Sequence, residues 1–169
     1  MAGKKYQAAI DIIKKFEGIV DGDKTTPHYD PYLDPVNIWT IGFGHVVRDK
    51  KTRKPILGKP NKALAFAVYP GGIDDAEVER LLKQDLRYFS KAVMTAVKVP
   101  LKNTQLCALI SFTFNVGDNN FRNSTLLKKL NANGYTAVPT EMTRWNKANG
   151  KVLAGLTRRR AAEGILFSS

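Results

Sequence analysis

Two carboxylates in the first part of the chain have the surroundings that acid–base chemistry needs. Glu17 ends an amphipathic segment, between Phe16 and Gly18. The negative end of a helix dipole and burial beside apolar side chains both favour a protonated carboxyl group, which a general acid requires. Asp34 stands in a polar turn with Pro35, where a carboxylate stays ionised. Two acids held in such different states are typical of glycosidases.

These acids also have plain structural interpretations. Glu17 fits a solvated acid at a helix end, and Asp34 fits a residue that forms a turn. Three further aspartates, Asp21, Asp23 and Asp30, are rivals for the role of second carboxylate. Residue types alone therefore leave both the chemistry and the choice between Asp34 and Asp30 open.

Other catalytic chemistries lack their residues. His28 and His45 are the only histidines and Cys107 is the only cysteine, so neither a zinc cluster of the usual spacing nor an internal disulfide is possible. Cys107 lies in an apolar run, where a thiol usually packs as a small hydrophobic group. The chain has no P-loop, no complete dinucleotide-binding fingerprint and no G-x-S-x-G elbow. We expect no cofactor and no metal.

Local patterns predict the elements that position the two acids. Apolar residues at helical spacing predict a helix from Tyr6 to Glu17. Residues 18–36 contain three prolines and predict a loop, and residues 37–47 predict a strand or hairpin. Residues 49–72 predict a second long loop with a short helix at 62–68.

The rest of the chain predicts helices. Asp74, with Glu77 three residues on, forms a capping box that opens a long helix ending before Pro100. Residues 105–117 predict a buried central helix, and Ser124 or Asn123 caps a short one. Two more helices are predicted at 139–146 and 157–167. The predicted fold is α+β and mainly helical: a small N-terminal hairpin lobe at about 17–73, and a larger helical lobe at about 74–169 that includes helix 1–17, joined by the long helix.

Charge is strongly positive and unevenly placed. The chain has 27 Lys+Arg against 15 Asp+Glu, a formal charge of +12. The segment from Arg48 to Lys62 carries seven cations and one acid, and Arg158–Arg160 form a second cluster. Such segments are either solvated faces or docking surfaces for polyanions. The N-terminal segment lacks an uninterrupted apolar core and no apolar run spans a membrane, so a cytoplasmic protein is expected.

Several segments, in the same order along the chain, resemble the phage-type lysozymes, glycoside hydrolase family 24. The N-terminal matches are Phe16-Glu17-Gly18, Tyr32-Leu33-Asp34 and the hairpin WTIGFGH at 39–45, and the C-terminal matches are 105–117, 121–127 and 144–163. The resemblance implies a lysozyme-like fold of two lobes in a single domain, 1–169.

The resemblance also implies roles for individual residues. Glu17 matches the general acid, Asp34 the second carboxylate, and Thr40 the residue that holds a water with Asp34. The spacing from Asp34 to Thr40 matches the family, which favours Asp34 over Asp30. The implied substrate-binding residues of the cleft are Phe114, Asn115 and Ser124, although each also fits core packing or a helix cap.

Further contacts and departures follow from the same resemblance. His45 is implied to pair with Asp85, and one of Arg158–Arg160 to approach Glu17; the sequence does not identify which. The segment between Glu17 and Asp34 is longer than in compact members of the family. Asn37 replaces the family's usual glycine, and Asn tolerates a left-handed backbone better than most residues.

The implied activity is hydrolysis, with inversion, of the β-1,4 bond between N-acetylmuramic acid and N-acetylglucosamine in peptidoglycan. A monomeric endolysin is expected, acting in host lysis and reaching the wall from the host cytoplasm through a separate membrane pore protein. Its charge suits contact with anionic outer-membrane or wall polymers.

Two other interpretations of the chain remain. The basic C-terminal helix, with Leu156, Ile165, Leu166 and Phe167, could lie on an anionic bilayer. A nucleic-acid binder gains support only from the charge, so no nucleic-acid partner is expected.

Overall fold

A computed structural model describes residues 5–148 and 150–169 of the chain. Met1 to Lys4, which belong to the segment expected to lack a signal peptide, lie outside the described residues. The chain divides into two compact units. Glu17–Asp85 form one, here called the sheet unit; the described residues up to Phe16 and Leu86–Ser169 form the other, the helical unit.

The sheet unit is built on a three-stranded antiparallel sheet. Its strands, in the order β1-β2-β3, are β1 Tyr32–Leu33, β2 Trp39–Ile41 and β3 His45–Val46. All three residues of β2 are buried, which makes β2 the centre of this small core. The predicted hairpin at 37–47 is confirmed. Glycine is needed at its turn, because Gly42 and Gly44 both have positive φ, at 61° and 83°.

The strand β1 lies in the segment for which a loop was predicted. This strand is only two residues long and is flanked by Pro31 and Pro35. Its hydrogen-bonding partners are residues of β2, further along the chain. The flanking prolines predict a loop. The strand forms because it pairs with β2, and a sequence pattern within a few residues does not reveal that pairing. Beyond the sheet, this unit contains a 3-10 turn Lys59–Asn61 and the predicted short helix, α2 Lys62–Val68.

Helices dominate the helical unit. They are α1 Gln7–Glu17, α3 Asp75–Ala96, α4 Asn103–Val116, α5 Asp118–Arg122, α6 Thr125–Asn131, α7 Val138–Thr143 and α8 Ala154–Ser168, with a 3-10 turn at Tyr135–Ala137. Glu17, the last residue of α1, and the first turns of α3 belong to the sheet unit. The core lies around α4, whose residues 106–113 are all buried, and both α4 and α7 pack on α8. The α+β, mainly helical fold is confirmed.

Helix starts follow the predicted caps. The Asp74 carboxylate accepts from the Glu77 N–H at 2.8 Å, which caps α3.

The boundary between the units falls at Asp85 within α3, whereas the sequence predicts it before the helix, at 73. The physical reason is that the first turns of α3 pack on the sheet: a side chain at Gly42 would touch Val78, and Asp85 contacts His45.

Three local features were not predicted. Helix α5 is a five-residue helix with an i,i+4 ion pair between Asp118 and Arg122 at 2.7 Å. The predicted helix at 139–146 is shorter, because α7 ends at Thr143. A hairpin follows it, β4 Lys147–Ala148 paired with β5 Lys151–Val152. Elements this short lack a periodic pattern.

The C-terminal helix does not present an arginine-rich face to a bilayer. Arg159 and Arg160 are 2% and 0% exposed, and Phe167 is also buried. These side chains point into the helical unit because α8 packs on α4 and α7, which corrects the interpretation of this helix as a membrane-lying one. No helix in the described ranges is long and apolar enough to cross a bilayer.

Candidate active site

Glu17 is placed by the end of helix α1. The apolar side of α1 is buried through Ala9, Ile10 and Ile13, so the helix forms as its spacing predicts. Gly18 has φ 65°, the left-handed conformation that commonly ends a helix. Glu17 is therefore the last helical residue, and it is half-buried.

Asp34 is held by a tight turn between β1 and β2. Its Oδ1 accepts from the N–H groups of Val36 at 3.0 Å and Ile38 at 2.7 Å. The Asn37 N–H donates to the Asp34 carbonyl at 3.0 Å, and Asn37 has φ 72°. The expectation that asparagine sustains a left-handed backbone here is confirmed. Since both hydrogen bonds to the carboxylate use Oδ1, Asp34 Oδ2 remains available to a water or a sugar hydroxyl.

Thr40 lies on the central strand, opposite Tyr32. The register of β1 and β2 pairs Tyr32 with Thr40 directly. Thr40 is only 3% exposed, and its hydroxyl donates to the Tyr32 carbonyl oxygen at 3.4 Å. Paired residues of antiparallel strands project their side chains on the same face. Asp34 follows Tyr32 by two positions, so the two-residue period places it on that face as well.

Tyr32 is affected by all three predicted catalytic residues. Burial raises the pKa of the Tyr32 hydroxyl, a hydrogen bond from the Thr40 side chain lowers it, and the charges of Glu17 and Asp34 raise it further. Glu17, Asp34, Thr40 and Tyr32 all belong to the sheet unit. The sequence showed Tyr32 only as part of a motif; the signal that could have identified it is its two-residue spacing from Asp34.

The rival aspartates organise the loop between Glu17 and Asp34. Asp30 is 3% exposed; its Oδ2 accepts from the Thr26 hydroxyl at 2.7 Å, and its N–H donates to Asp21 at 3.0 Å. Asp23 accepts from both the N–H and the hydroxyl of Thr25, and the hydroxyl bond is the main reason that the pKa of Asp23 is lowered. Within the part of the chain that the structure describes, no group of three His, Cys, Asp or Glu side chains is arranged to hold a metal.

His45 pairs with Asp85, as the resemblance implied. Its Nδ1 lies 3.0 Å from Oδ1 and 2.9 Å from Oδ2 of the aspartate. The two side chains are 16% and 21% exposed, which makes this a partly buried link between β3 and α3. The pair fastens the hairpin that carries Thr40 to the first turns of the long helix.

The three predicted substrate-binding residues all lie in the helical unit. Ser124 is 4% exposed and is the N-cap of α6: its hydroxyl accepts from Leu127 N–H at 3.0 Å and donates to the Phe121 carbonyl at 2.7 Å. Phe114 is half-buried and packs on Phe89, with ring centroids 5.2 Å apart. Ser124 thus has a structural task that accounts for its position, and its contact with sugar stays a prediction.

Asn115, the third of these residues, is connected to a buried ionic network. Its Oδ1 accepts from Arg160. Arg160 also pairs with Glu163 at 2.8 Å and lies 4.9 Å from the Phe112 ring centroid. Asn115 is half-buried, and its contact with sugar stays a prediction.

A sequence model of the phage lysozyme family matches residues 14–163. The chain belongs to the phage lysozyme family. Relatives include an endolysin of Bacillus phage PZA, 37% identical over 96% of this chain and 54% of that protein, and one of Acyrthosiphon pisum secondary endosymbiont phage 1, 33% identical over 94% and 93%. This chain spans about half the length of the Bacillus phage endolysins it matches.

Solved structures of the family have the same fold. The muramidase domain of SpmX from Asticaccaulis excentricus matches with a TM-score of 0.68 and 30% identity, covering 96% of both chains. The endolysin from Escherichia coli O157:H7 phage FAHEc1 matches with a TM-score of 0.70 and 29% identity, covering 95% of this chain and 90% of that one. The predicted family and the predicted lysozyme-like fold are thereby confirmed.

Proposed function

We propose that the chain is a muramidase that hydrolyses the β-1,4 bond between N-acetylmuramic acid and N-acetylglucosamine in peptidoglycan, with inversion. Glu17 is the general acid, and Asp34 and Thr40 hold the attacking water. The observation that carries the proposal is the strand register that places Asp34 and Thr40 on one face of the sheet, in the same unit as Glu17. Family membership supports it, because relatives are named endolysin and a structural neighbour is named a muramidase domain.

Glu17 suits the acid role through its position. It is the last residue of α1 and is half-buried. A protonated carboxyl group there can donate its proton to the glycosidic oxygen as the bond to the leaving sugar breaks.

Asp34 and Thr40 can both accept a hydrogen bond from the attacking water. The Thr40 proton is directed at Tyr32, so the lone pairs of its Oγ1 are free to accept from a water. Asp34 Oδ2 can accept the second proton of the same water. A water that donates both protons presents its own lone pair to the anomeric carbon, and Asp34 takes up a proton as the new bond forms. An inverting pair needs roughly 6.5–9.5 Å between its carboxyl groups to admit this water.

Asp34 is preferred to Asp30 because its side chain is more exposed. Asp30 is almost fully buried and Thr26 uses its Oδ2. Asp34 is half-buried and is bonded through Oδ1 alone. Replacing Asp34 by Asn should therefore reduce kcat far more than replacing Asp30 by Asn, which should mainly lower thermal stability.

Glu17→Gln tests the proposal most directly. The measurement is clearing of permeabilised Gram-negative cell walls together with release of reducing sugar. Loss of a general acid should lower the rate at least a hundredfold while the fold, followed by circular dichroism, is unchanged. Asp11→Asn, which changes an exposed carboxylate on the same helix α1, is the matched control. Equal clearing by wild type and Glu17→Gln would reject the enzymatic proposal.

The stereochemistry of hydrolysis at the anomeric carbon is tested by a separate measurement. Inversion of a β-linked glycan releases the α-anomer first, which proton NMR detects before mutarotation. Initial β-anomer would mean retention, through attack on the sugar by Asp34 or by the substrate's own acetamido group, and would overturn the inverting mechanism, although hydrolysis itself would stand.

We further propose that one surface of the sheet unit contacts anionic wall or outer-membrane polymers. Seven side chains, here called the basic face, are all exposed: Arg48, Lys50, Lys51, Arg53, Lys54, Lys59 and Lys62. The single acid among them, Asp49, is already bonded to the N–H groups of Lys51 and Thr52. Concentrated unneutralised charge attracts polyanions over distances of about 10 Å.

As a phage endolysin, the chain would act as a monomer in host lysis and reach the wall from the host cytoplasm through a separate membrane pore.

A further inference from the structure

Helix α2 carries apolar side chains that the fold leaves uncovered. Six of the seven residues of Lys62–Val68 are apolar, but only Ala65 is buried. Leu64 is 42% exposed, and Ala63 and Ala67 are exposed as well. Residues three and four positions apart lie on the same side of a helix, so these three side chains share one face. An apolar face that stays in water is typical of a surface that binds another molecule.

Leu57 extends this apolar surface beyond the helix. Its side chain is 53% exposed. The side chain of Asn61, the residue that precedes α2, donates to the Leu57 carbonyl oxygen at 2.7 Å. This hydrogen bond holds Leu57 beside the start of the helix. The exposed apolar residues of this segment, here called the apolar patch, are Leu57, Ala63, Leu64 and Ala67.

Cations of the basic face lie at both ends of the apolar patch. Lys59 begins the 3-10 turn before α2, Lys62 begins α2 itself, and both are exposed. At the other end of the helix, Lys50 Nζ lies 3.4 Å from the Ala67 carbonyl oxygen. Lys62 Nζ also lies 5.1 Å from the centroid of the Phe66 ring. The apolar patch and the basic face therefore form one continuous surface of the sheet unit.

The combination of positive charge and exposed leucines favours one class of partner. A hydrophilic wall polymer can pair with the lysines, but it has no apolar part to cover the leucines. An anionic lipid bilayer presents phosphate groups at its surface and acyl chains directly beneath them. Lysine can bind a phosphate while its methylene groups stay beside apolar neighbours. Both kinds of side chain on this surface thus have a partner in a bilayer.

We propose that the basic face and the apolar patch together dock on an anionic lipid bilayer, with Leu57 and Leu64 entering the headgroup layer. The inference rests on the proposed contact of the basic face with polyanions and names lipid as its partner; it does not depend on the hydrolytic activity. The C-terminal helix cannot serve in this way, because Arg159 and Arg160 are buried. The sheet unit, and not that helix, is the part of the chain that meets a bilayer.

Binding of the full chain to lipid vesicles tests the charged part of the surface. The probes are vesicles of equal parts phosphatidylglycerol and phosphatidylcholine, compared by co-sedimentation with vesicles of phosphatidylcholine alone. Each cation close to an anionic surface contributes about fivefold to binding, so the anionic vesicles should bind at least about tenfold more tightly. Equally weak binding to both kinds of vesicle would overturn the proposal.

Leu57→Ser combined with Leu64→Ser tests the apolar part, because it leaves every charge in place. Each half-exposed leucine should contribute about threefold, so the double variant should bind the anionic vesicles about tenfold more weakly than wild type. Val152→Ser combined with Ile165→Ser is the matched control: these residues of the helical unit are 58% and 73% exposed, and binding should not change. Unchanged binding by the first double variant would reject the inference. Thermal unfolding verifies that both variants are folded.

Leu64→Trp gives a second measurement that keeps the surface apolar. An indole that leaves water for the headgroup layer shifts its fluorescence to shorter wavelength, so the emission of Leu64→Trp minus that of wild type should shift when anionic vesicles are added. Ile165→Trp, on the exposed side of α8, should show no shift. Absence of a shift in Leu64→Trp would also reject insertion of the apolar patch.

Lipid-free cell walls separate this inference from the proposed function. The variant with Leu57→Ser and Leu64→Ser should bind such walls as tightly as wild type. An equal loss of binding to walls and vesicles would mean that the leucines do not select lipid, and would reject the inference. If wild type clears walls but binds no vesicles, the proposed muramidase stands and only lipid docking is rejected. If wild type binds vesicles but clears no walls, lipid docking stands and the muramidase is rejected.

Discussion

The two basic clusters of the chain have opposite environments. The basic face of the sheet unit exposes all seven of its cations. In the helical unit, Arg159 and Arg160 are buried and both pair with Glu163, whose side chain is 0% exposed. Ser111 adds a hydrogen bond to Glu163 at 2.7 Å. A run of arginines in the sequence therefore does not by itself predict a docking surface. Cations of an exposed loop stay in water, whereas cations on the packed side of a helix are buried and need an acidic partner.

The largest expected effect comes from breaking the buried network. Arg160→Met leaves the Glu163 charge buried with a partner missing, and it also removes the contact with Asn115. Removing one member of such a pair costs about 3–5 kcal/mol, which lowers Tm by roughly 10 °C in a chain of this size. Differential scanning calorimetry at pH 7 measures it.

Arg158→Met is the control for that experiment, since Arg158 is exposed although it belongs to the same run of arginines. It should change stability by less than about 0.5 kcal/mol. Equal Tm values for the two variants would contradict the contrast between a buried and an exposed cation.

An intermediate effect is expected at the basic face. Reversing the charge of Lys50, Lys51 and Lys54 to Glu should weaken binding to isolated cell walls at least about tenfold at low salt and leave Tm almost unchanged. The difference should shrink as salt is raised. Charge reversal of three exposed lysines in the helical unit, Lys91, Lys98 and Lys128, is the matched control for net charge. Equal losses in both triple variants would show that total charge, and not the basic face, drives binding.

The smallest effect concerns a buried acid with exposed partners. Glu141 is 4% exposed and pairs with Lys129 at 2.6 Å and Arg144 at 3.1 Å. The hydrogen bond from Lys129, followed by that from Arg144, lowers the pKa of Glu141 below its ordinary 4.5. A lowered pKa in the folded state means that the stabilisation is present above about pH 4.5 and is lost as pH falls further.

Glu141→Gln should accordingly lower Tm at pH 7 and have a smaller effect near pH 3. The loss at pH 7 should stay near 1 kcal/mol, because the cationic partners are 48% and 67% exposed and water screens them. Thermal melts of both proteins from pH 3 to pH 7 measure the difference. A loss as large at pH 3 as at pH 7 would assign the effect of Glu141 to packing instead of charge.

Much of the fold could be read from the sequence where the signal is local. A cap at Asp74 and one at Ser124 or Asn123 were predicted from residue type and spacing, and Asp74 and Ser124 make the expected hydrogen bonds. The left-handed backbone at Asn37 was expected because the family usually has glycine at this position. Each of these depends on contacts within three or four residues, which the sequence specifies directly.

The candidate site was predictable in part. Glu17, Asp34 and Thr40 were identified from a motif, but the surroundings that favour Asp34 over Asp30 were not. Both aspartates precede a proline, and the local sequence treats them alike. What separates them is the Thr26 hydroxyl on one carboxylate and the turn at Asn37 beside the other, which the fold of the loop decides.

By itself the sequence determined the hairpin and most helix starts, because periodicity, caps and turn residues act between near neighbours. The family and the motif residues followed from a resemblance spread over the chain. Only the tertiary structure decided which cations are buried, which of the two aspartates is buried, and that Tyr32 pairs with Thr40. Those outcomes depend on strand register and helix packing between residues distant in the chain, and the free energy of such contacts is not encoded at any single position.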